Sequence, residues 1–338
     1  MNSLISFFIL FLLLNILPGR IDFQEFAIHQ AKPSVLENKL SAYGLSLLDS
    51  CEETNLSGLI FKLEYINSDL PSQEYKESGV RLPLGKKLIM QGDGNFDFPS
   101  GAILFQNLYR LDSMQQRNLV ETRLLISKGG VWQPARYLWN ARKTEAFLVK
   151  AAYSALPKDQ PSAISVNDDP SISSENDCKR CHNSDGRIMP VATTGMNLNR
   201  PVLTKVKWVE QLDELERKGA IEFSGDVMFL TKPCDTDSSF SVSERARSYL
   251  DSRCAHCHHP GNQQTAELDF NFQSPLSKTG ILARKKALSE LLVSPDERHG
   301  NAMDMSKPEP EGVKLVQAFL KSLPVDTADL FSEKRSYR

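Results

Sequence analysis

The segment "SVSERARSYLDSRCAHCHHPGN" (241–262) joins a helix start, a helix face and a closely spaced set of cysteines and histidines. Ser241, followed three residues later by Glu244, is a capping-box pattern, which predicts that a helix begins here. Its apolar residues share one face of that helix: Ala246, Tyr249 and Leu250. The segment therefore predicts a helix that runs directly into a group of thiol and imidazole side chains.

Two Cys-x-x-Cys-His motifs occur in a chain with only six cysteines and six histidines. They consist of Cys178, Cys181 and His182, and of Cys254, Cys257 and His258. On a helical turn, positions i, i+3 and i+4 share a face, so both thiols and the imidazole can meet one flat ligand. This spacing is the attachment pattern of c-type haem, in which two thioethers hold the haem and the histidine is the proximal iron ligand. The motifs therefore predict two covalent haem c groups.

Two other chemistries fit the cysteines alone. The four motif cysteines could form a closed four-sulfur zinc site, but this leaves the histidine after each pair unexplained. Each pair could instead be a redox dithiol, although neither opens a recognisable βαβ unit. Haem attachment accounts for all six residues and is the preferred interpretation.

Methionine is a common distal ligand of electron-transferring haem c. For the second haem, the loop "GNAMDMSKPEP" (300–310) offers Met303 or Met305, which the sequence does not separate. For the first haem, Met189 is the candidate, and a distant histidine or a five-coordinate iron is the alternative. Ordinary loop or core methionines are the alternative for all of these residues.

The N-terminus has a different composition from the rest of the chain. Leu4 to Leu17 is almost uninterruptedly apolar and is followed by Pro18-Gly19, which is typical of a signal-peptide core. We expect an export signal, or else an uncleaved N-terminal anchor that tethers the chain to a membrane. Both place the remaining chain in the periplasm or elsewhere outside the cytoplasm. The net charge of −2 gives no indication of nucleic-acid binding.

The chain is predicted to be an α+β multidomain protein, in which a β-rich N-terminal domain precedes a mainly α-helical, cytochrome c-like C-terminal domain. Period-two alternation predicts strands at 59–66, 102–111, 119–126 and 131–140, with a turn at "SKGG" (127–130). Trp208, Leu212 and Leu215 predict a helix ended by Gly219, and another apolar stripe consists of Val316, Phe319, Leu320 and Leu323.

Composition sets the expected boundaries along the 338 residues. They are a signal or anchor (1–19), a polar entry segment (20–55), a β-rich domain (56–160), a linker with the first haem segment (161–235), a class I-like cytochrome c domain with the second haem (236–326) and a polar tail (327–338). Cys51 and Cys234 remain once four sulfurs hold haem, either as a disulfide or as two separate thiols.

The chain resembles a family of exported bacterial di-haem c-type cytochromes with a β-rich N-terminal half. The resemblance covers nearly the whole chain after the N-terminus. It is carried by "FPSGAILFQNLY" (98–109), "YLWNARKTEA" (137–146), "CKRCH" (178–182), "MNLNRP" (196–201), "RARSYLDSRCAHCHHPG" (245–261) and "SPLSKTGI" (274–281). It implies a haem-binding, electron-transferring protein with undefined redox protein partners.

The leading hypothesis is thus an electron carrier rather than an enzyme. The alternative is a di-haem oxidoreductase, such as a peroxidase, with one open iron. A third hypothesis makes the β-rich half a binding module that the haems serve.

Overall fold

A computed structural model describes most of the chain after the N-terminal segment. The described residues are 36–45, 58–65, 74–112, 114–149, 178, 182–225, 234–262, 265, 267–293 and 310–324, with only the backbone for 291–293. The predicted signal or anchor therefore lies outside the described residues. Within them, no helix is both long and apolar enough to cross a membrane.

Thirteen strands and five α-helices form the described fold. The strands are β1 (Leu59–Leu63), β2 (Glu74–Leu82), β3 (Leu88–Met90), β4 (Phe96–Asp97), β5 (Ile103–Leu111), β6 (Arg117–Lys128), β7 (Val131–Trp139), β8 (Ala146–Leu148), β9 (Asn183–Ser184), β10 (Arg187–Ile188), β11 (Pro201–Leu203), β12 (Trp208–Glu210) and β13 (Ile221–Phe223). The helices are α1 (Gly195–Leu198), α2 (Gln211–Arg217), α3 (Val242–Cys254), α4 (Lys285–Val293) and α5 (Pro310–Ser322). Short 3₁₀ turns occur at Leu40–Tyr43, Leu276–Lys278 and Leu282–Arg284.

The main sheet is antiparallel throughout and has the order β1-β2-β5-β6-β7-β8. Alternating side chains give it two apolar faces, because successive residues of a strand point to opposite sides. The strands predicted at 59–66, 102–111, 119–126 and 131–140 are confirmed as β1, β5, β6 and β7. Gly129 and Gly130 form the predicted turn with positive φ angles of 58° and 80°.

One face of the main sheet shares its core with the segment that follows the first motif. Val80, Leu82 and Leu104 pack in the same cluster as four residues of that segment: Leu198, Leu212, Leu215 and Ile221. In addition, β13 pairs in parallel with β3, so this later segment also extends a small sheet with the order β13-β3-β4. The first motif is therefore followed by chain that is built into the β-rich part of the fold.

The predicted helix around Trp208 is confirmed only in part. The helix α2 begins at Gln211, with Leu212 and Leu215 buried, whereas Trp208 lies in β12 and is 64% exposed. Backbone pairing of β12 with β11 competes with helix formation at Trp208, so the helical spacing there is accidental. Gly219 ends the helix as predicted, with φ of 76°.

The described residues after 234 contain α3, α4 and α5, which share a separate apolar cluster. Helix α5 packs against both α3 and α4. The predicted stripe is confirmed, because Val316, Phe319, Leu320 and Leu323 are buried together with Tyr249. The prediction of a mixed chain with helices and several sheets is thus confirmed, and the cytochrome c-like fold of the C-terminal part stays a prediction.

Candidate haem-binding site

The two described residues of the first motif, Cys178 and His182, are joined by a helical backbone hydrogen bond. The amide of His182 donates to the carbonyl of Cys178 over 2.9 Å, which is the i to i+4 bond of an α-helix. Cys178 and His182 therefore lie on one face, as haem attachment requires. Cys181 lies outside the described residues, so its thiol is placed only by the sequence.

The imidazole of His182 is held in a defined tautomer. Its Nδ1 is 3.1 Å from the carbonyl oxygen of Met189, and a carbonyl can only accept, so Nδ1 carries the hydrogen. The lone pair then lies on Nε2, which is the arrangement that metal-binding histidines adopt when a backbone carbonyl orients them. Burial lowers the pKa of His182, which favours the neutral ring. His182 thus fits the role of a haem-iron ligand.

Met189 is fixed on the Nδ1 side of this ring. Its amide donates to the carbonyl of His182 over 2.7 Å, and its own carbonyl accepts from the ring. A distal ligand would have to reach an iron that is held at Nε2, whereas the Met189 backbone lies at Nδ1. These two bonds do not favour Met189 as that ligand, and its assignment to the first haem stays a prediction.

A charged part of the main sheet lies beside the first motif. Strand β10 packs against β7, and the positive charge of Arg123 on β6 contributes, after burial, to the lowered pKa of His182. Glu121 accepts from Arg123 at 2.9 Å and from Arg136 at 2.8 Å. The main sheet therefore places the Arg123 guanidinium, which is itself paired with Glu121, close enough to act on His182.

The second motif repeats the helical turn of the first. The amides of Cys257 and His258 donate to the carbonyl of Cys254 over 3.1 Å and 2.9 Å. Helix α3 begins with the predicted capping box, in which Ser241 and Glu244 each accept from the other's amide, and it ends at Cys254. Both cysteines and the histidine leave this helix end within one turn, so the three side chains are placed for a single flat ligand.

The surroundings of His258 hold the imidazole against an aromatic ring. The His258 and Phe270 ring centroids are 5.0 Å apart, and the Phe270 amide donates to the His258 carbonyl over 2.9 Å. The carbonyl of Cys257 accepts from the side-chain amide of Asn262 over 2.9 Å and also from the Thr265 hydroxyl. The backbone of the second motif is therefore anchored through the carbonyls of Cys257 and His258.

The position of Cys254 does not fit a redox dithiol. Reactive cysteines of this kind lie at helix N-termini, where the helix dipole stabilises a thiolate. Cys254 is instead the last residue of α3, and burial raises its pKa to about 12. Its thiol is thus kept protonated.

Among the described residues, no three His, Cys, Asp or Glu side chains are arranged to hold a metal ion. The four-sulfur zinc site also needs Cys181, which lies outside the described residues.

Two histidines that the sequence interpretation left without a role lie beside the motifs. Burial lowers the pKa of His256 to about 4, and the charges of His182, His258 and His259 act in the same direction. His259 forms a hydrogen bond with the backbone of Asn183, next to His182. In the sequence, His256 and His259 lie within or directly after the second motif, which is a signal that could have identified them. Only the fold shows that they approach the first motif.

Of the remaining residues that the sequence singled out, only Cys234 lies within the described part of the chain. Met303, Met305 and Cys51 lie outside the described residues, so the distal ligand of the second haem and the disulfide stay predictions. Cys234 is buried, and its amide donates to the Ser248 hydroxyl over 2.9 Å.

Comparison with known proteins adds no assignment. No family model matches the chain, and no match was found among characterised proteins or among solved structures. The resemblance to di-haem cytochromes therefore stays a prediction from the sequence.

Proposed function

We propose that this chain is an exported di-haem c-type cytochrome that carries electrons between redox protein partners. His182 and His258 are the proximal iron ligands, and Cys178, Cys181, Cys254 and Cys257 form the thioether bonds. The observation that carries the proposal is the repeated helical turn, in which the histidine amide lies 2.9 Å from the carbonyl of the first cysteine in both motifs.

The protein supplies position and surroundings, and the haem iron, when bound, supplies the Fe(II)/Fe(III) couple. The Met189 carbonyl orients the His182 ring, and Phe270 packs against His258. Low solvent access and nearby charges are expected to set the two reduction potentials. Arg123 is one such charge, because it contributes to the lowered pKa of His182.

The residues from 236 to 326 are proposed to form a class I-like cytochrome c domain. Helix α3 leads into the second motif, and α5 packs against α3 through the cluster that contains Tyr249 and Phe319. Met303 and Met305 lie between α4 and α5 in the sequence, and one of them is proposed as the distal ligand. Substituting each by Ala should remove the far-red band of methionine-ligated ferric haem in only one of the two variants.

The test is a haem count after expression with the cytochrome c maturation machinery. The alkaline pyridine assay should give two haems per wild-type chain and one in each of C178S/C181S and C254S/C257S. C234S is the matched control and should keep both haems, because Cys234 belongs to neither motif. Wild-type protein without covalent haem would refute the proposal, and metal analysis for zinc would then follow.

A di-haem oxidoreductase is the second candidate, favoured by the contacts that hold Met189 on the Nδ1 side of His182. An iron without a distal ligand would be high-spin and would bind cyanide. Cyanide binding together with turnover of peroxide would favour this enzyme over the carrier. If neither occurs, the electron carrier is retained.

A further inference from the structure

The two motifs are far apart in sequence but meet in the fold. The chain that follows His182 forms the β9–β10 hairpin, and the chain that follows His258 forms a loop through Gly261. The amide of Asp185, in the turn of that hairpin, donates to the carbonyl of Gly261 over 2.6 Å. The peptides that leave the two proximal histidines are therefore in direct contact.

Glycine on one side allows this close contact. A Cβ added to Gly261 would lie 2.4 Å from the Ser184 hydroxyl oxygen and 3.3 Å from the His259 ring. Non-bonded carbon and oxygen atoms do not approach this closely, so a side chain at Gly261 would require either the Ser184 hydroxyl or the backbone of one segment to move. We call the close approach of the segments 183–185 and 259–261 the intermotif contact.

A histidine side chain extends the contact. The His259 ring bonds to the Asn183 backbone, so residues directly after each proximal histidine are joined by a hydrogen bond. The segments that follow the two proximal histidines therefore occupy one neighbourhood in the fold.

We infer that the two motifs form one di-haem site, in which electrons pass directly from one iron to the other and the intermotif contact sets their coupling. This inference rests on the proposed function. Two thioethers and a histidine hold each haem next to its own motif, so joining the motifs brings the haems together. When an electron moves, one iron is oxidised from Fe(II) to Fe(III) and the other is reduced from Fe(III) to Fe(II). Redox protein partners supply and remove the electron.

Close irons should influence each other's potential. A unit charge added at one iron repels an electron arriving at the other, and in the protein interior this repulsion is weakly screened. We expect reduction of one haem to lower the electron affinity of the other about tenfold, which is about 59 mV for a one-electron couple. Independent haems would show no such dependence.

The experiment is a potentiometric titration of the full-length holoprotein and of the single-haem variants C178S/C181S and C254S/C257S. The wild-type curve should deviate from the sum of the two single-haem curves by the expected shift. A wild-type curve equal to that sum overturns the inference. The haem count is measured first on the same samples, so that loss of the proposed function is recognised separately as missing covalent haem.

A second readout needs no cysteine variant, in case either single-haem protein does not fold. The electron paramagnetic resonance signals of the fully oxidised wild type should be broadened by coupling between the two ferric irons. Signals that integrate to two irons without broadening overturn the inference.

The role of the intermotif contact is tested by a rescue pair. G261A should bring the wild-type curve closer to the sum of independent haems, because the new Cβ meets Ser184. S184A/G261A removes the hydroxyl that causes the overlap and should restore the coupling, and S184A alone is the control. Coupling that is unchanged in G261A overturns the role of this contact.

Discussion

At the scale of single residues, Glu121 is a carboxylate that the main sheet buries between two guanidinium groups. Its side chain is 6% exposed and that of Arg136 is 10% exposed, and the two form a bidentate pair with distances of 2.8 Å and 3.1 Å. Burial alone would raise the pKa of Glu121, but Arg136 and Arg123 hold it below the usual range. The pair therefore depends on an ionised Glu121.

Replacing Glu121 by Gln should destabilise the protein strongly. The change keeps the side-chain shape but leaves Arg136 buried without its counter-charge, which costs about 3–5 kcal/mol in comparable buried pairs. Urea unfolding followed by circular dichroism measures the loss. E311Q is the matched control, since Glu311 pairs with Lys314 on the surface and such pairs contribute less than about 1 kcal/mol. Equal losses in the two variants would contradict the prediction.

Asp251 on α3 is a second buried carboxylate, but its surroundings favour the protonated form. Burial raises its pKa to about 6, Asp269 acts in the same direction, and the Phe272 amide and Arg247 oppose the rise. Because the folded-state pKa lies above the unfolded value, folding takes up a proton between about pH 4 and pH 6. Stability is therefore lost as pH rises through this range and remains lower above it.

D251N should remove this pH dependence. The shift from 3.8 to about 6 corresponds to at most about 3 kcal/mol, so the variant should gain up to that amount relative to wild type between pH 4 and pH 7. The side-chain amide oxygen that D251N introduces can still accept from the Phe272 amide, which lies 2.7 Å from the carboxylate in the wild type. Urea unfolding of wild type and D251N at pH 4 and at pH 7 provides the measurement. Stabilities of the two proteins that change in parallel with pH would contradict the prediction.

At the scale of elements, helices α3 and α5 meet at a glycine. A Cβ added to Gly312 would lie 2.1 Å from Cζ of Tyr249 and 2.4 Å from its hydroxyl oxygen. The two helices can therefore approach this closely only with glycine at position 312. The contact lies in the same cluster as Val316 and Phe319, so a shift here would disturb the core around the second motif.

G312A should destabilise the helical part by about 1–3 kcal/mol, which is the usual cost of overpacking. Helix propensity works in the opposite direction, because Ala is favoured over Gly by about 1 kcal/mol. A318G, at an exposed position of α5, measures that propensity alone. Thermal unfolding of the holoprotein compares the two variants. A stabilised G312A protein would show that α3 and α5 separate readily.

Sequence patterns correctly predicted the helices and strands that depend mainly on residues within the same element. The capping box at Ser241, the apolar stripe of α5 and the strand β6 involve mainly neighbours within one element, and all three are present. Trp208 was placed in a helix because spacing alone does not show that its backbone pairs with Leu203.

The candidate site was predictable residue by residue but not as an assembly. Each Cys-x-x-Cys-His motif is defined within five positions, and the described parts of both form the expected helical turn. The contact between Asp185 and Gly261 joins segments that no periodicity relates, so it appears only in the fold. The orientation of His182 by Met189 likewise needed a tertiary turn that composition does not specify.

At the scale of the whole molecule, the β-rich part and the first motif segment share one core. The side-chain amide of Gln211 accepts from the Glu64 amide over 2.7 Å and donates to the Glu64 carbonyl over 2.8 Å, beside β1. Tyr65 and Thr193 are joined through their hydroxyls at 2.9 Å. The apolar cluster of Leu198, Leu212, Leu215 and Ile221 against the main sheet lies next to these bonds. The predicted boundary at residue 160 therefore separates segments of chain that pack on each other.

This shared core predicts how fragments of the chain will behave. A fragment of residues 36–160 would expose the sheet face that Leu198, Leu212, Leu215 and Ile221 cover, so it should lack a cooperative unfolding transition. A fragment of residues 36–225 restores that cover and should unfold cooperatively in urea. Within the longer fragment, L215A should lower the free energy of unfolding by about 2–5 kcal/mol, as for other buried leucines.

L203A is the matched control in the longer fragment, because Leu203 is 61% exposed and should contribute little to stability. A short fragment with the same urea midpoint as the longer one would contradict the prediction, since the main sheet would then be stable on its own. The chain that follows the first motif completes the core of the sheet, so the folding of the β-rich part fixes the position of His182. If His182 holds a haem as proposed, substitutions in that core should shift the potential of this haem as well as the stability of the fold.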